Sequence, residues 1–461
     1  MKRSLAHFAG AMGGVLAGAD AAFTGVSTDS RTLVAGELFV ALTGPNFDGH
    51  EFVAAAAERG AAGAVVARRL PLALPQVVVD DTLKGLQRAA GSWRAQFQVP
   101  VIAVAGSNGK TTTKELIASV LTTLGPCHST RGTLNNHIGV PLTLLGLEPR
   151  HTSAVIEVGA NHPGEVAALV PLVRPTAGIV TNAGAEHLEG FGDLDGVARA
   201  EGELFAGLDG GATALVNADD EYANLWTGMS RAERRLTFGF TAGADFRAVG
   251  AFRRSGPGEV QQEFELVSPA GRATVRIALV GRHNVVNALG AAAAAHAAGA
   301  PLAAIAAGLE RMRPVKGRLQ PHAALKGARL IDDSYNANPS SLSAGLEVLA
   351  GFGGERWLVL GDMNELGSHS REAHAAAGRE ARERGVARLF AVGSQTAEAV
   401  GAFGPGAEWF ADATALSARV ATLLAPEVTV LVKGSRSNRL ERVVDALKAG
   451  AAAAPATAER I

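Results

Sequence analysis

Residues 101–114 read Val101-Ile-Ala-Val-Ala105-Gly106-Ser107-Asn108-Gly109-Lys110-Thr111-Thr112-Thr113-Lys114. Five apolar residues run into a turn with two glycines, then a lysine, then three threonines suited to open a helix. A strand, a glycine-bearing turn and a helix N-terminus in that order make a holder for a nucleoside triphosphate. Backbone N–H groups of the turn and the positive helix end surround phosphate oxygens, and a lysine ammonium neutralises the β/γ charge. On this reading Ala105, Gly106, Ser107, Asn108, Gly109, Lys110, Thr111 and Thr112 bind ATP, with the hydroxyl of Thr111 or Thr112 on Mg²⁺. The spacing departs from the common G-x-x-x-x-G-K-[ST] form, because Val104 stands where the first glycine would be.

The bulk of the chain sets bounds on everything else. Its 461 residues suggest about three domains. A composition 47% hydrophobic and 19% charged is that of an ordinary α/β protein with ample core. A net charge of −1 supplies no basic field for nucleic acid and no polybasic segment for anionic lipid. The single cysteine, Cys127, has no internal partner and points to a reducing compartment. Two stretches invite other readings. Met1-Lys2-Arg3 and the small residues after it resemble a signal peptide, but His7, Gly10, Gly13 and Gly14 interrupt the apolar run. Leu5, Phe8, Met12, Val15 and Leu16 fall instead near helical spacing, so a short first helix is expected. Leu289–Leu309 is long enough to suggest a membrane span, but it is mostly alanine and carries His296, Gly299 and Pro301. Two packed helices broken near Gly299–Pro301 are expected, and the protein is read as cytoplasmic.

The fold class that follows is α/β in three domains. Residues 1–97 form a small mixed α/β unit around Gly25–Arg31, Gly36–Gly44 and Phe47–His50, with a helix at Glu51–Arg59 and strands near Gly63–Ala67 and Gln76–Val79. Residues 98–313 form a central parallel-sheet, P-loop ATPase-type unit with strands at Val101–Ala105, Ala154–Val158 and Ala177–Val180. The alternation of Val260–Val267 and Ala273–Leu279 adds an antiparallel appendage, and Arg313-Pro314 is a plausible hinge. Residues 314–461 form a Rossmann-like unit with strands at Arg329–Ile331, Trp357–Leu360, Arg388–Val392 and Val428–Val432. The tail Ala449–Ile461 is expected to fray.

Ligands of open parallel sheets sit beyond the carboxyl ends of the strands. The second central strand delivers Glu157 among Val and Ile, where a carboxylate is costly unless a cation compensates it. Beside a nucleotide loop, metal ligation outweighs a structural salt bridge. The third strand leads to His187, on a loop expected to face Glu157. In the C-terminal unit the strand ends carry Asp332–Pro339, Gly361–Glu365 and Lys433–Arg436. Helix capping accounts for some of these Asp and Ser residues. Lys433 and Arg436, after a buried strand, look like a second wall of a cleft that closes over ATP and excludes water.

With these motifs placed, the chain resembles the Mur ligase family over nearly its whole length. The resemblance rests on Ala105–Thr113, Thr133–Leu142, Glu157–Asn161, His187–Gly192, Gly281–Asn284, Lys316–Leu319, Asp332–Pro339 and Lys433–Ser437. Asp29-Ser30-Arg31 and Asp-Ser-Tyr-Asn-Ala-Asn-Pro339 resemble the branch that adds D-alanyl-D-alanine, and the Asp-Asn-Pro-Arg run of members adding diaminopimelate or lysine is missing. The resemblance implies an ATP-dependent amide ligase acting through an acyl phosphate on UDP-N-acetylmuramoyl-tripeptide, with small-molecule partners only and as a monomer. It implies that Ser30, Arg31 and His50 hold the UDP end, and that Asn135 and Asn136 approach the pyrophosphate and muramoyl part. Asn284, Arg318 and Asp333 then lie near adenine, ribose or phosphate, and Tyr335, Asn336, Asn338, Lys433 and Arg436 form the dipeptide wall. Lys110, Glu157, His187 and Glu201 are the expected catalytic group, and Thr111, Thr112, Glu157, His187 and Glu201 the metal ligands. One departure stands out. Where the family usually has a lysine that is carbamylated to bind the second Mg²⁺, this chain has Glu201, which is expected to replace the carbamate. The competing readings are a folylpolyglutamate synthase-like ligase, which would begin almost directly with the ATP module, and a nucleotide-driven switch that makes no amide bond.

Overall fold

The computed structural model describes residues 3–254 and 261–450. The expected tail beyond residue 450, and Val260 of the expected hairpin strand, lie outside the described residues.

Three main sheets follow one another along the chain, with five, nine and six strands, beside one two-stranded ribbon. The middle sheet is built around Val101–Ala105, flanked by Ser153–Glu157 and Ala177–Val180, all in parallel. All five residues of Val101–Ala105 are buried. Val101, Ala103 and Ala105 join one core cluster, while Ile102 and Val104 join the cluster on the opposite face. This period of two on a strand covered from both sides is why the segment reads as continuously apolar.

The sheet continues outward through Thr213–Asn217 and Arg234–Gly239 to Phe246–Arg254, still parallel, before Gln262–Ser268 and Gly271–Ile277 close it with antiparallel pairing. The antiparallel appendage is thus an extension of the same sheet. The alanine-rich stretch forms two helices, Arg282–Ala297 and Leu302–Arg311, with Gly299 in the left-handed region (φ 91°) between them. Both pack against the helix Lys110–Leu121 that follows the phosphate loop.

In the third sheet Arg329–Asp333, Val428–Lys433, Glu355–Gly361, Arg388–Val392 and Ala407–Phe410 run parallel, and Gln320–Ala323 pairs antiparallel at one edge. The first sheet spans Val15–Val78. Its opening helix, Leu5–Met12, is shorter than the apolar spacing suggests. Gly13 takes a left-handed conformation (φ 69°) and caps it, so Val15 and Leu16 begin a strand instead.

Candidate active site

The loop after Val101–Ala105 is held by close backbone contacts. A Cβ built on Gly106 would stand 2.2 Å from Thr181 Oγ1, and one on Gly109 would stand 2.5 Å from Asn287 Oδ1. Both glycines also have positive φ, 116° and 84°, so an L side chain is excluded twice over. Three N–H groups of the turn are already engaged. Gly106 donates to Glu201 Oε2 (2.7 Å), Ser107 to the Asn182 carbonyl (2.9 Å) and Asn108 to Asn182 Oδ1 (3.1 Å). The N–H groups of Lys110, Thr111 and Thr112, in the first helical turn, have no intrahelical acceptor by geometry. An anion would therefore be received at the helix N-terminus rather than at the turn before it.

Lys110 is folded back over this loop. Its Nζ donates to the carbonyls of Gly106 and Ser107 and pairs with Glu186 Oε1 at 3.0 Å. Burial opposes its charge, but Glu186, Glu201 and Glu157 together outweigh burial and raise its pKa. Glu201, on the helix Leu194–Ala206, is buried, and its carboxyl is pushed up to about 7. Burial is the main cause and Glu186 adds to it, while Lys110 and the Gly106 N–H oppose.

Glu157 closes the strand Ser153–Glu157 and is buried. Its Oε1 accepts from Asn135 Nδ2 (2.9 Å) and Thr111 Oγ1 (3.3 Å). Its Oε2 is buried with no hydrogen-bond partner. An orphaned carboxylate oxygen next to a threonine hydroxyl fits a hard divalent cation that keeps waters and phosphate oxygens as its other ligands. The wider ligand set is not gathered at Glu157. His187 Nδ1 faces the carboxylate of Glu365, and Glu201 takes the Gly106 N–H. Among the described residues no three His, Cys, Asp or Glu side chains group as a metal cluster.

The ends of the second and third sheets enclose one cavity of about 790 Å³. Every residue singled out from the sequence lines it except Ala105, Gly106, Glu201 and the N-terminal trio Ser30, Arg31 and His50. Asn136 also caps the next helix, its Oδ1 accepting from Ile138 and Gly139 N–H. Asn284 Nδ2 donates to the Val280 carbonyl (2.6 Å), and its Oδ1 accepts from Asn287 (3.1 Å). On the far wall, Lys433 pairs with Asp333 at 2.5 Å and donates to the Asn336 carbonyl at 3.0 Å. Burial pulls the lysine down and the acid up, and their mutual attraction opposes both. The Tyr335 ring lies 4.3 Å from the Arg318 guanidinium and 5.6 Å from that of Arg436.

The N-terminal trio is placed elsewhere. Ser30 is buried, and exposed Arg31 pairs with Asp29 at 2.8 Å. His50 is spoken for on both nitrogens. Nδ1 meets Asp48 at 2.5 Å and Nε2 accepts the Ala67 N–H at 2.8 Å, so this ring shapes its own loop.

Glu186 and Glu365 are the partners of Lys110 and His187, and of the two only Glu365 belongs to a strand end expected to face the cleft. Glu186 adjoins His187 in a loop already singled out, and an acid opposite a phosphate-loop lysine was the available signal. For Glu365 the strand-end run Gly361–Glu365 was the signal, but nothing in the sequence paired it with His187, 178 positions away (365 minus 187).

A glycine–lysine–threonine turn at the end of a central parallel strand, facing a second sheet across a cleft lined with acid, amide and basic groups, defines an enzyme that works on a nucleoside triphosphate. Comparison with known proteins narrows that class. The profile of the Mur ligase middle domain matches residues 104–295, the Mur ligase glutamate ligase domain matches 317–436, and the Mur ligase family catalytic domain matches 22–85. The UDP-N-acetylmuramoyl-tripeptide–D-alanyl-D-alanine ligase of Escherichia coli is 44% identical over 448 residues, 96% of this chain and 98% of the relative. The crystal structure of MurF from Acinetobacter baumannii superposes with a TM-score of 0.90 at 33% identity, covering 96% of this chain and 98% of that one. The MurF ligase of Thermotoga maritima in complex with ADP shares the fold, with a TM-score of 0.80 at 24% identity over 92% and 96% of the two chains. The chain belongs to the Mur ligase family.

Proposed function

We propose that this protein joins D-alanyl-D-alanine to UDP-N-acetylmuramoyl-tripeptide with conversion of ATP to ADP and phosphate, giving the UDP-muramoyl-pentapeptide precursor of peptidoglycan. The observation that carries the reading is whole-length likeness to ligases of that name, together with a cleft in which Lys110 faces the third sheet. A carboxylate resists amine attack because it is already anionic and lacks a leaving group. Transfer of the γ-phosphoryl to the tripeptide carboxylate makes an acyl phosphate, and the amine of the dipeptide attacks its carbonyl. The tetrahedral intermediate then expels phosphate. Phosphoryl transfer asks for positioning and charge neutralisation more than covalent help. Lys110 turns from its loop carbonyls to the β/γ oxygens, and the first-turn N–H groups of Lys110–Thr112 receive the phosphates. An α-amine with a pKa near ~8 is partly neutral at pH 7, so no dedicated base is required.

Mg²⁺, held by Thr111 and Glu157, would supply charge neutralisation at the phosphate oxygens. Asp333 and Arg318 bind the nucleoside side of ATP, with Lys433 fixing Asp333. Tyr335, Asn336 and Arg436 face the dipeptide. Residues 1–97 bind the UDP end through Ser30 and Arg31, residues 98–313 bind ATP, and residues 314–461 close over it. The protein acts as a cytoplasmic monomer. Among the described residues no helix is long and apolar enough to cross a membrane.

Purified protein is incubated with ATP, Mg²⁺, the UDP-muramoyl tripeptide and D-alanyl-D-alanine, with mass detection of the product. Pentapeptide formed only when all are present is the expected result. ATP hydrolysis without either peptide substrate would instead mark a nucleotide-driven switch, and glutamate addition to a folate would mark a folylpolyglutamate synthase-like enzyme.

A further inference from the structure

We propose that Asn338 is a positioning residue that ties the seating of the third sheet over the nucleotide to the setting of Lys110. The inference rests on the ligase reading for its kinetic consequence only. Asn338 is the N-cap of the helix Pro339–Ala350 and is buried. Its Oδ1 accepts from Ser341 N–H (2.8 Å) and Ser340 Oγ (3.1 Å), and Ser341 Oγ receives the Asn338 N–H (3.0 Å) to complete a capping box. The carbonyl end of the side chain is therefore used within its own helix, and the amide end points out of it across the cleft.

That amide meets two groups of the nucleotide-binding sheet. Asn338 Nδ2 lies 2.9 Å from Asn108 Oδ1 in the phosphate loop and 3.3 Å from Glu186 Oε2. The other oxygen of Glu186 holds Lys110 at 3.0 Å. Asn108 returns the contact, its Nδ2 donating to Ser340 Oγ at 2.9 Å. An unbroken path thus runs from the cap of a third-sheet helix through one carboxylate to the phosphate-loop lysine. With the third sheet withdrawn, Glu186 Oε2 and both ends of the Asn108 side chain lose these partners. With it seated, the Glu186 carboxylate is pinned at both oxygens and presents Lys110 in one orientation. An asparagine suits the position because capping needs an acceptor and the cleft needs a donor.

Replacing Asn338 by Asp separates the two tasks. Aspartate caps as well as asparagine, but it removes the donor and sets a carboxylate against Glu186. Asn338→Ser keeps a capping oxygen and simply deletes the amide. The expected result for N338D is a fall in kcat of tenfold or more with KM for ATP within twofold of wild type, and the neutral N338S should keep the wild-type melting temperature. The kcat of N338S is expected to lie between those of N338D and wild type. In a Glu186→Gln background the path is already cut, so N338D should cost less than threefold more. Small-angle scattering with a non-hydrolysable ATP analogue, without peptide substrates, should show N338D more extended than wild type. That readout stands even if the acceptor has been misassigned, so failure of the ligase reading is separable. Equal losses from N338D in the wild-type and E186Q backgrounds, a loss confined to KM, or a drop in the melting temperature of N338S that accounts for its lost activity would overturn the proposal.

Discussion

His187 and Glu365 meet side chain to side chain across the cleft, and each has a left-handed backbone, with φ of 50° and 62°. Two non-glycine residues in that region cost on the order of 1 kcal/mol each. The contact therefore sits where the local backbone is strained on both walls. Both residues line the cavity, and the Glu189 N–H donates to the Glu365 carbonyl beside them (3.3 Å). Burial opposes a charge on His187, but Glu365 and Glu186 outweigh it and raise the imidazole pKa, while His187 lowers that of Glu365. The sign of the pH dependence follows. The histidine's share of the stabilisation is complete below its unfolded value of about 6.5 and is lost as pH rises through the raised folded value. The carboxylate's share is present above about 4.5 and lost as pH falls through its lowered value. Calorimetry of wild type and Glu365→Gln should show the largest difference between pH 5 and 6 and a shrinking one above. A difference that grows with pH would refute the pairing.

Glu201 predicts a further loss of stability with rising pH in the nucleotide-free protein, the reverse of the usual carboxylate case. Its folded carboxyl titrates at about 7 against an ordinary 4.5. Between those values the unfolded chain has lost the proton and the folded one has kept it, so stability falls as pH rises. The fall amounts to about 3 kcal/mol. Glu201→Gln retains an acceptor for the Gly106 N–H but has no proton to lose, so its stability should be flat over that range. The same variant bears on catalysis. If Glu201 stands in for a carbamate, activity should drop with weakened Mg²⁺ dependence, and wild-type turnover should not change on removal of CO₂. Near-normal turnover of E201Q would end that idea.

The parallel core was legible because burial on both faces leaves a signature in composition. Val101–Ala105, Ala177–Val180 and Leu389–Val392 are uninterrupted runs without a polar side chain, and the structure places strands at those positions. The edge strands Cys127–Ser129, Gln320–Ala323 and Ala407–Phe410 were invisible, since half-exposed strands of three or four residues carry too little pattern. Thr213–Asn217 is wholly buried and could have been read. Of the site, the groups delivered by single strand ends were found, because each strand announces its own loop. The pairs were not. Lys110 with Glu186, Asn108 with Asn338 and His187 with Glu365 join residues 76, 230 and 178 positions apart. Only the folded arrangement of the two sheets defines such contacts.

Gly106→Ala should disable the loop. The added methyl would meet Thr181 Oγ1 at 2.2 Å and force an L residue to a φ of 116°. Relief requires moving the turn that carries Lys110, so a loss of kcat/KM of at least 100-fold is expected, with about 1–3 kcal/mol of stability. Gly228→Ala is the control. Gly228 lies in the helix Ala223–Met229, and its Cβ would have nothing within 4 Å. It should retain full activity, with stability unchanged or slightly raised. Equal behaviour of the two variants would show that the loop tolerates what its geometry forbids.

Lys110→Met tests the charge balance of the site as well as its chemistry. Removing the ammonium should lower kcat by a factor of ~10³ or more, since γ-phosphoryl transfer loses its main fixed cation. It also deprives Glu186, Glu201 and Glu157 of the ammonium on which all three act electrostatically in the intact protein. Stranding a buried charge costs about 3–5 kcal/mol, or less if the group takes up a proton instead. Glu201, already titrating at about 7, is the group placed to do so. K110M should therefore be markedly destabilised at pH 8 and much less so at pH 5.5. Adding E201Q should recover part of the alkaline loss without restoring turnover. Thermal unfolding of the four proteins at both pH values reads this directly. A K110M deficit independent of pH, or one untouched by E201Q, would mean that the carboxylates do not share their charge through Lys110.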